Sequence, residues 1–206
     1  MVKLNIINEF KTEQQIQQVK FIDLFCGIGS FHYSFEKLGF KCVMASDICE
    51  SAKNTYKENY GMDVLDDICE IDPSTIEPYD ILCAGFPCQP FSQAGQHKGF
   101  EDSRGTMFSQ VMRFVKHNIP KIVILENVQA LLNHDNGNSF TTIKTALENE
   151  GYNVVHNVLK CSDYGIPQMR KRLFIVGFKN IEVNNLDDFF NLDNYKKTTT
   201  LSDYLG

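Results

Sequence analysis

Short apolar runs alternate with amphipathic segments from Val19 to Phe178 in this chain of 206 residues. The apolar runs are rich in β-branched and aromatic residues, which favours strands, and the segments between them have helical character. Strands that alternate with helices are typical of β-α-β units, so the pattern predicts an α/β fold with a mostly parallel sheet. The predicted strands are VKFIDLF at 19–25, KCVMAS at 41–46, DILCAGF at 80–86, KIVILEN at 121–127, NVVHNVL at 153–159 and RLFIVGF at 172–178.

Helices are predicted in four of the segments that separate these strands. Gly39 and Gly151 follow two of them and are expected to act as C-terminal caps, because glycine adopts the left-handed conformation at little cost. The predicted helices cover Ser30–Leu38, Glu50–Asn59, Arg104–His117 and Ser139–Glu150.

The chain divides into three regions, of which the central one carries the pattern of a folded domain. Residues 1–19 are polar and rich in glutamine, and we expect a short leader there. Residues 20–178 hold the predicted sheet, whereas residues 179–206 form an acidic tail rich in asparagine. No apolar run reaches the roughly 20 residues of a membrane helix, and we find no secretory signal, so we expect a cytoplasmic protein.

The formal net charge of −6 counts against a chain whose whole surface binds nucleic acid, because such surfaces are usually basic. A local basic patch is nevertheless compatible with a negative total, although a basic cluster is more often a solvated face. The candidates for such a patch are Lys98, Arg104, Arg170, Lys171 and Arg172.

The seven cysteines form no C-x-x-C pair, and their odd number argues against a disulfide framework; the sequence also predicts no metal site. Cys42 and Cys83 lie inside strand-like apolar runs, where a thiol is usually a small buried hydrophobic group. Cys88 differs from them because it lies between Pro87 and Gln89, at the end of such a run. We therefore single it out as a candidate for chemistry.

A nucleoside cofactor is suggested by the residues at the ends of the first two predicted strands. In FIDLFCGIGS, Gly27 and Gly29 allow a tight turn and a close approach of the backbone to a ligand. His32 stands where a dinucleotide fingerprint has its third small residue, and the lysine of a P-loop is absent. Asp47, 20 residues beyond Gly27, could accept hydrogen bonds from both ribose hydroxyls. S-adenosylmethionine, a nucleoside without a diphosphate, fits this set.

A nucleophile and its charged partners are suggested by three later segments. A thiolate at Cys88 would be a strong nucleophile, and a cation nearby would raise the thiolate fraction. Arg170 and Arg172 share one side of a strand and suit carbonyl or phosphate recognition, although solvent exposure explains such a pair equally well. Glu126 ends the apolar run KIVIL, where it could donate a proton or simply cap the following turn.

Taken together, five strings resemble the ordered motifs of bacterial C5-cytosine DNA methyltransferases of the restriction–modification type. They are FIDLFCGIGSF, DILCAGFPCQPFSQAG, GFEDSRG, ILENV and DYGIPQMRKR, and the resemblance covers residues 20–178 in the family's order and spacing. The joint occurrence of PCQPFS, ENV and QxRxR is far more specific than any one of these strings.

The resemblance implies a fold that binds S-adenosylmethionine, with a mostly parallel sheet and an antiparallel last strand. It implies that Asp67 lies near the adenine amino group. Asp47 replaces the glutamate that is more usual at the ribose, and Ile48 follows it where the family commonly has an aromatic that stacks on adenine. Ser30 replaces a frequent glycine. The cofactor residues implied in this way are Phe25, Gly27, Gly29, Asp47, Ile48, Asp67 and Pro87.

The resemblance also implies methyl transfer to C5 of cytosine in double-stranded DNA. Cys88 would add to C6, Glu126 would protonate or hydrogen-bond N3, and Arg172, beside Arg170, would hold O2. The base would have to leave the duplex, because its reacting atoms lie inside the stack. The loop from Gln89 to Arg104 resembles the family's mobile loop that closes on DNA. The DNA contacts expected there are Gln89, Ser92, Lys98 and Arg104.

Members of the family continue into a target-recognition region and two further motifs that this sequence lacks. Two hypotheses remain open. The chain is either one subunit of a split enzyme, with the recognition part on a second polypeptide, or a truncated remnant that binds cofactor without methylating. A tRNA cytosine methyltransferase fits less well, and a nucleoside-binding module without chemistry is the non-enzymatic alternative. We expect a bacterial or phage-encoded protein, with weak cofactor binding and little turnover by the chain alone.

Overall fold

The computed structural model of the protein describes residues 19–87 and 107–180, together with residues 190 and 192. Six strands in this part form one sheet, and all six correspond to the apolar runs that predicted them. Their ends differ from the predicted ends by a few residues at most. The strands are β1 Lys20–Leu24, β2 Lys41–Ser46, β3 Ile81–Ala84, β4 Ile122–Val128, β5 Asn153–Lys160 and β6 Lys171–Phe178.

Four α-helices connect these strands in the described ranges. The first is shorter than predicted, because the amides of Leu38 and Gly39 already form turns back to the carbonyls of Phe35 and Glu36. Gly39 has a φ of 82°, as expected for a residue that ends a helix. The predicted start of the third helix at Arg104 lies outside the described residues. The helices are α1 Ser30–Glu36, α2 Glu50–Tyr60, α3 Met107–Asn118 and α4 Asn138–Asn149.

The strand order in the sheet is β2-β1-β3-β4-β6-β5. The strands from β2 to β4 pair in parallel, whereas β6 pairs antiparallel with both of its neighbours. The prediction of a mostly parallel sheet with an antiparallel last strand is therefore confirmed. The chain moves outward from β1 to β2, and then returns to the other side of β1 as β3, so the order of the strands reverses at β1.

Helices cover both faces of the sheet. On one face α3 and α4 bury side chains such as Phe114 and Leu147 against Leu125 of β4. On the other face Phe35 of α1 packs against Phe21 of β1. Each face buries a continuous apolar surface, which is the main stabilising contribution in a domain of this kind. None of the described helices is long and apolar enough to cross a membrane.

Candidate active site at the carboxyl ends of three strands

The carboxyl ends of β1, β3 and β4 meet at one edge of the sheet. Gly85, directly after β3, marks the meeting point: a Cβ atom on it would lie 3.5 Å from Glu126 Oε2 and 3.9 Å from the Phe25 carbonyl oxygen. The loop after β1 and a carboxylate on β4 are therefore close neighbours. Ligands of open α/β sheets bind at this edge, beside the strand where the order reverses.

The loop of residues 25–29, called here the glycine loop, turns sharply between β1 and α1. Phe25 adopts a φ of 57°, a left-handed conformation that costs a side-chain-bearing residue on the order of 1–3 kcal/mol. Neighbouring hydrogen bonds hold it in place: the Cys26 amide donates to the Ser46 carbonyl at 3.0 Å. The Gly29 amide closes the turn by donating to the Cys26 carbonyl at 2.9 Å. The loop is thus tied to the end of β2.

Two tyrosines of α2 pack beside the glycine loop. The Tyr60 hydroxyl donates to the Gly29 carbonyl at 2.8 Å, and its ring stacks on His32 with centroids 3.9 Å apart. The other tyrosine, Tyr56, places its hydroxyl 2.6 Å from His32 Nδ1. Burial lowers the pKa of His32, so this imidazole stays neutral at neutral pH. A Cβ on Gly29 would lie only 2.2 Å from Tyr60 Cε2, so the packing as well as the backbone requires glycine here.

Asp47, at the end of β2, ties the glycine loop to the start of α2. One carboxylate oxygen accepts the Gly27 amide at 2.8 Å and the other accepts the Cys49 amide at 2.8 Å. A carboxylate has about four acceptor positions, so both oxygens can still accept from a ligand. Ile48 beside it is 77% exposed, which leaves a large apolar side chain uncovered next to these acceptors.

Asp67 is brought to the same edge by a bridge between its segment and β2. The Leu65 amide donates to the Ala45 carbonyl at 2.9 Å, and the Asp47 amide donates to the Leu65 carbonyl at 3.0 Å. Two residues later, Asp67 Oδ1 accepts the Cys69 amide at 2.9 Å, which orients the carboxylate. The resemblance implies that Asp47 and Asp67 belong to one site, and their segments lie side by side in the structure.

Asp23 is a buried carboxyl group under the glycine loop. Neither of its oxygens makes a hydrogen bond of good geometry to any described residue. Burial raises the pKa of Asp23 to about 8; the negative charge of Asp47 adds to the rise, and the nearby His32 amide opposes it. An acid of this kind binds a proton much more readily than an exposed one, and our sequence reasoning did not single it out.

The chain leaves β3 toward the candidate nucleophile along a fixed path. The Phe86 carbonyl accepts from Asn127 Nδ2 at 3.0 Å, and Asn127 is itself only 4% exposed. Its Oδ1 accepts the Val128 amide at 2.8 Å, so the orientation of the side-chain amide is determined. Pro87 follows as an exposed residue, and Cys88 lies outside the described residues. The asparagine of the ENV string thus anchors the segment that leads to Cys88.

Glu126 and two arginines form a charged group beside Gly85. Arg172 Nε lies 2.8 Å from Glu126 Oε1, and Arg170 Nη2 lies 3.9 Å from the same oxygen. Both arginines therefore approach the same carboxylate, Arg172 from β6 and Arg170 from the position just before that strand. Glu126 follows the apolar run KIVIL, as the sequence indicates, and β4 continues from it to Val128, which pairs with Arg172 across the sheet. Pairing with β6 extends the strand beyond the apolar run.

The residues at this edge fit a nucleoside ligand. Two carboxylates offer acceptors for hydroxyl or amino groups, and the exposed Ile48 offers an apolar surface for a flat base. A Cβ on Gly27 would meet no atom within 4 Å, so the backbone there is open to close approach. Phe25, Gly27, Asp47 and Asp67 could together hold the nucleoside part of S-adenosylmethionine.

The structure brings most of the sequence-derived site residues together, and five of them lie outside the described residues. The cofactor residues gather around the glycine loop, and Glu126, Arg170 and Arg172 gather around Gly85. Asp23 could have been noticed as a lone charge inside an apolar strand, whereas nothing in the local sequence indicates the support from Tyr60. The predicted residues outside the described ranges are Cys88, Gln89, Ser92, Lys98 and Arg104.

Comparison with known proteins gives one family match and a set of similar methyltransferases. The family model of C-5 cytosine-specific DNA methylase matches residues 19–206. The chain is 48% identical to the type II methyltransferase M.MspI of Moraxella sp, over 80% of this chain and 40% of that protein. It is 40% identical to M.HhaI of Haemophilus parahaemolyticus, over 93% of this chain and 59% of that protein. The chain thus spans about half the length of such relatives.

Solved structures of methyltransferases share the fold. The crystal structure of S. pombe Dnmt2 methyltransferase matches with a TM-score of 0.73 and 23% identity, over 92% of this chain and 59% of that one. A putative DNA modification methyltransferase from an E. coli prophage matches with a TM-score of 0.58 and 27% identity, over 79% of this chain and 47% of that one.

Proposed function

Because the chain belongs to the C-5 cytosine-specific DNA methylase family, we propose that it forms the catalytic part of an enzyme that methylates C5 of cytosine in duplex DNA. Residues 20–178 are the catalytic domain in this proposal, residues 1–19 a leader, and residues 179–206 the approach to a target-recognition region. The observation that carries the proposal is the charged group of Glu126 and Arg172 next to the glycine loop.

Enzymes of this kind generally use S-adenosylmethionine, and the residues around the glycine loop are suited to hold it. Asp47 would accept hydrogen bonds from the ribose hydroxyls, Asp67 would accept one from the adenine amino group, and Ile48 would pack against the base. Phe25, Gly27, Gly29 and Pro87 would line the rest of the cofactor site. When bound there, S-adenosylmethionine supplies a methyl group on a positively charged sulfur.

The residues of the chain prepare cytosine to accept that methyl group. The Cys88 thiolate forms a bond to C6, which breaks the aromaticity of the ring and makes C5 nucleophilic. Glu126 protonates or hydrogen-bonds N3, and Arg172, supported by Arg170, holds O2 as negative charge develops. Once C5 has gained the methyl group, leaving S-adenosylhomocysteine, its proton passes to water and the electrons of the C5–H bond form the C5–C6 double bond. The bond between C6 and the Cys88 sulfur breaks in the same elimination, so that the thiolate is regenerated.

Access to the base requires DNA to be bound and opened. The target cytosine leaves the stack, since its C5 and C6 atoms cannot otherwise reach the sheet edge. Gln89, Ser92, Lys98 and Arg104 contact the DNA in this proposal. The curated relatives are about twice as long as this chain, so we further propose that a recognition region, on a second polypeptide or elsewhere, completes the enzyme. A cytoplasmic setting in a bacterium or phage host fits the organisms of these relatives.

A methyl-transfer assay tests the proposal. The chain is mixed with the recognition half of a related methyltransferase, tritiated S-adenosylmethionine and duplex DNA, and the digested DNA is analysed for 5-methylcytosine. We expect labelled 5-methylcytosine with the parent chain, at least about 100-fold less with Glu126→Gln, and little with the chain alone. Lys144→Gln, on the exposed side of α4, is the matched control and should leave transfer unchanged.

Three results would contradict the proposal in different ways. Binding of S-adenosylmethionine without transfer to any nucleic acid would indicate a remnant that has lost its chemistry. Label in tRNA instead of DNA would assign a different substrate. Efficient sequence-specific methylation by the chain alone would show that no further recognition region is needed.

A further inference from the structure

Arg113 of α3 reaches across to the segment that follows Asp67. Its Nη1 donates to the Cys69 carbonyl at 3.2 Å, and its Nη2 donates to the Ile71 carbonyl at 2.7 Å. Nη1 also donates to the side-chain oxygen of Gln110, one turn earlier on the same helix. The planar guanidinium, with its fixed fork of donors, is the side chain that can bind two alternate carbonyls at once.

The segment held in this way determines where the Asp67 carboxylate points. Ile68, the next residue, is buried in the core, which fixes one side of the turn. The Cys69 amide donates to Asp67 Oδ1, and the carbonyl of that same residue is one of the two that Arg113 binds. The guanidinium therefore fixes the peptide unit that flanks the Cys69 amide, and through this amide it fixes the carboxylate.

We infer that Arg113 is a positioning residue that sets the specificity of the site for a 6-amino purine, the adenine of the cofactor. The inference rests on the proposed function, because it takes the ligand to be the adenosyl group of S-adenosylmethionine. Arg113 itself does not touch the ligand. It holds the Asp67 carboxylate as a directed acceptor, which favours a purine with an amino group at position 6 and disfavours one with an oxygen there.

Binding of two product analogues by the full chain tests this inference. S-adenosylhomocysteine carries the 6-amino group, and S-inosylhomocysteine carries an oxygen at the same place; the ratio of their affinities is measured by calorimetry. A hydrogen bond to a charged acceptor changes affinity by roughly 10- to 100-fold, so we expect a preference of that order in the parent chain. We expect Arg113→Met to reduce the ratio about tenfold, and Arg113→Lys to give an intermediate ratio.

Tyr79→Phe is the matched control for a purely structural role of Arg113. Tyr79 lies in the connection between α2 and β3, which also contains Asp67, and its hydroxyl donates to the Phe114 carbonyl of α3 at 3.0 Å. Its loss weakens the docking of α3 by one hydrogen bond but does not act on the turn at Asp67. We therefore expect Tyr79→Phe to lower the unfolding midpoint and to leave the affinity ratio unchanged.

The possible outcomes separate the inference from the function on which it rests. If the parent chain binds neither analogue, the proposed cofactor site is wrong. If the parent chain prefers S-adenosylhomocysteine and Arg113→Met keeps the same affinity ratio, the role given to Arg113 is wrong. The role is also wrong if Tyr79→Phe reduces the affinity ratio as much as Arg113→Met does. If Arg113→Met does not fold, Arg113→Lys takes its place. Its affinity ratio must differ from that of the parent chain, and this difference must disappear when both proteins also carry Asp67→Asn.

Discussion

Replacement of Gly29 by alanine perturbs the glycine loop in two ways that the structure separates. The residue has a φ of 93°, in which an alanine costs about 1–2 kcal/mol. The new Cβ would also lie 2.2 Å from Tyr60 Cε2, so the ring must move. Overpacking costs about 1–3 kcal/mol, and the lost hydrogen bond from Tyr60 to the Gly29 carbonyl costs about 1 kcal/mol more. We expect Gly29→Ala to lose about 3–6 kcal/mol of stability in total.

Gly27→Ala is the matched control, because it shares the backbone cost without the steric conflict. Its φ is 54°, and a Cβ there meets no atom within 4 Å. We expect this variant to lose only about 1–2 kcal/mol. The free energy of unfolding of both variants is measured by urea denaturation with linear extrapolation. Equal losses for Gly29→Ala and Gly27→Ala would refute the conclusion that Tyr60 packs against the loop.

A double variant tests whether the tyrosine is the cause. In a Tyr60→Ala background the nearest ring is absent and only Tyr56 Cε2, 3.0 Å from the new Cβ, remains close, so Gly29→Ala should cost little more than its backbone term. The difference between the two backgrounds is the coupling energy of the contact, and we expect about 2–4 kcal/mol. Additive losses would mean that the loop accommodates a Cβ without moving Tyr60.

Three further expectations concern the buried acid, the buried amide and the ion pair. Because the pKa of Asp23 is raised to about 8 in the folded protein, the free energy of unfolding should fall as the pH rises from about 4 to about 8. Asp23→Asn should reduce this fall, as measured by urea denaturation at pH 5 and pH 8. Identical pH dependence in both proteins would exclude a raised pKa. Asn127→Ala leaves the Phe86 carbonyl without its donor, so we expect a loss of about 1–3 kcal/mol and lower methyl transfer at unchanged S-adenosylhomocysteine affinity. Arg172→Lys lacks the planar guanidinium that contacts Glu126, so we expect methyl transfer to fall at least about tenfold in the same assay. Full activity of this variant would contradict the role of the guanidinium.

The sequence predicted the sheet well because strands in an α/β fold are marked by short, strongly apolar runs. It also predicted which residues meet at the carboxyl ends of these strands, since strand order in a parallel sheet brings such ends to one edge. The partner strand of β4 was less predictable. The predicted strand at 121–127 already includes Glu126, but the pairing with β6, which carries Arg172, joins distant segments and leaves no local signal.

Contacts that support the site from other elements were not predictable from the sequence. Tyr60 lies on the polar-looking helix α2, and only the packing of that helix under the glycine loop makes it a partner of Gly29. Arg113 belongs to a helix whose pattern indicates a buried apolar face, so its reach to the Cys69 carbonyl depends on how α3 docks. The lone charge of Asp23 in an apolar strand was visible, but its meaning required the burial that the fold provides.

The central claim is that the sulfur of Cys88 bonds to a cytosine extruded from DNA, and a trapped adduct tests it most directly. Duplex DNA with 5-fluorocytosine at the target is incubated with the chain, a complementing recognition region and S-adenosylmethionine, because fluorine at C5 blocks the elimination that would release the enzyme. Mass spectrometry of the digested adduct should locate the DNA on Cys88, and Cys88→Ala should form none. An adduct of equal yield in Cys88→Ala, or one attached to another residue, would contradict the account.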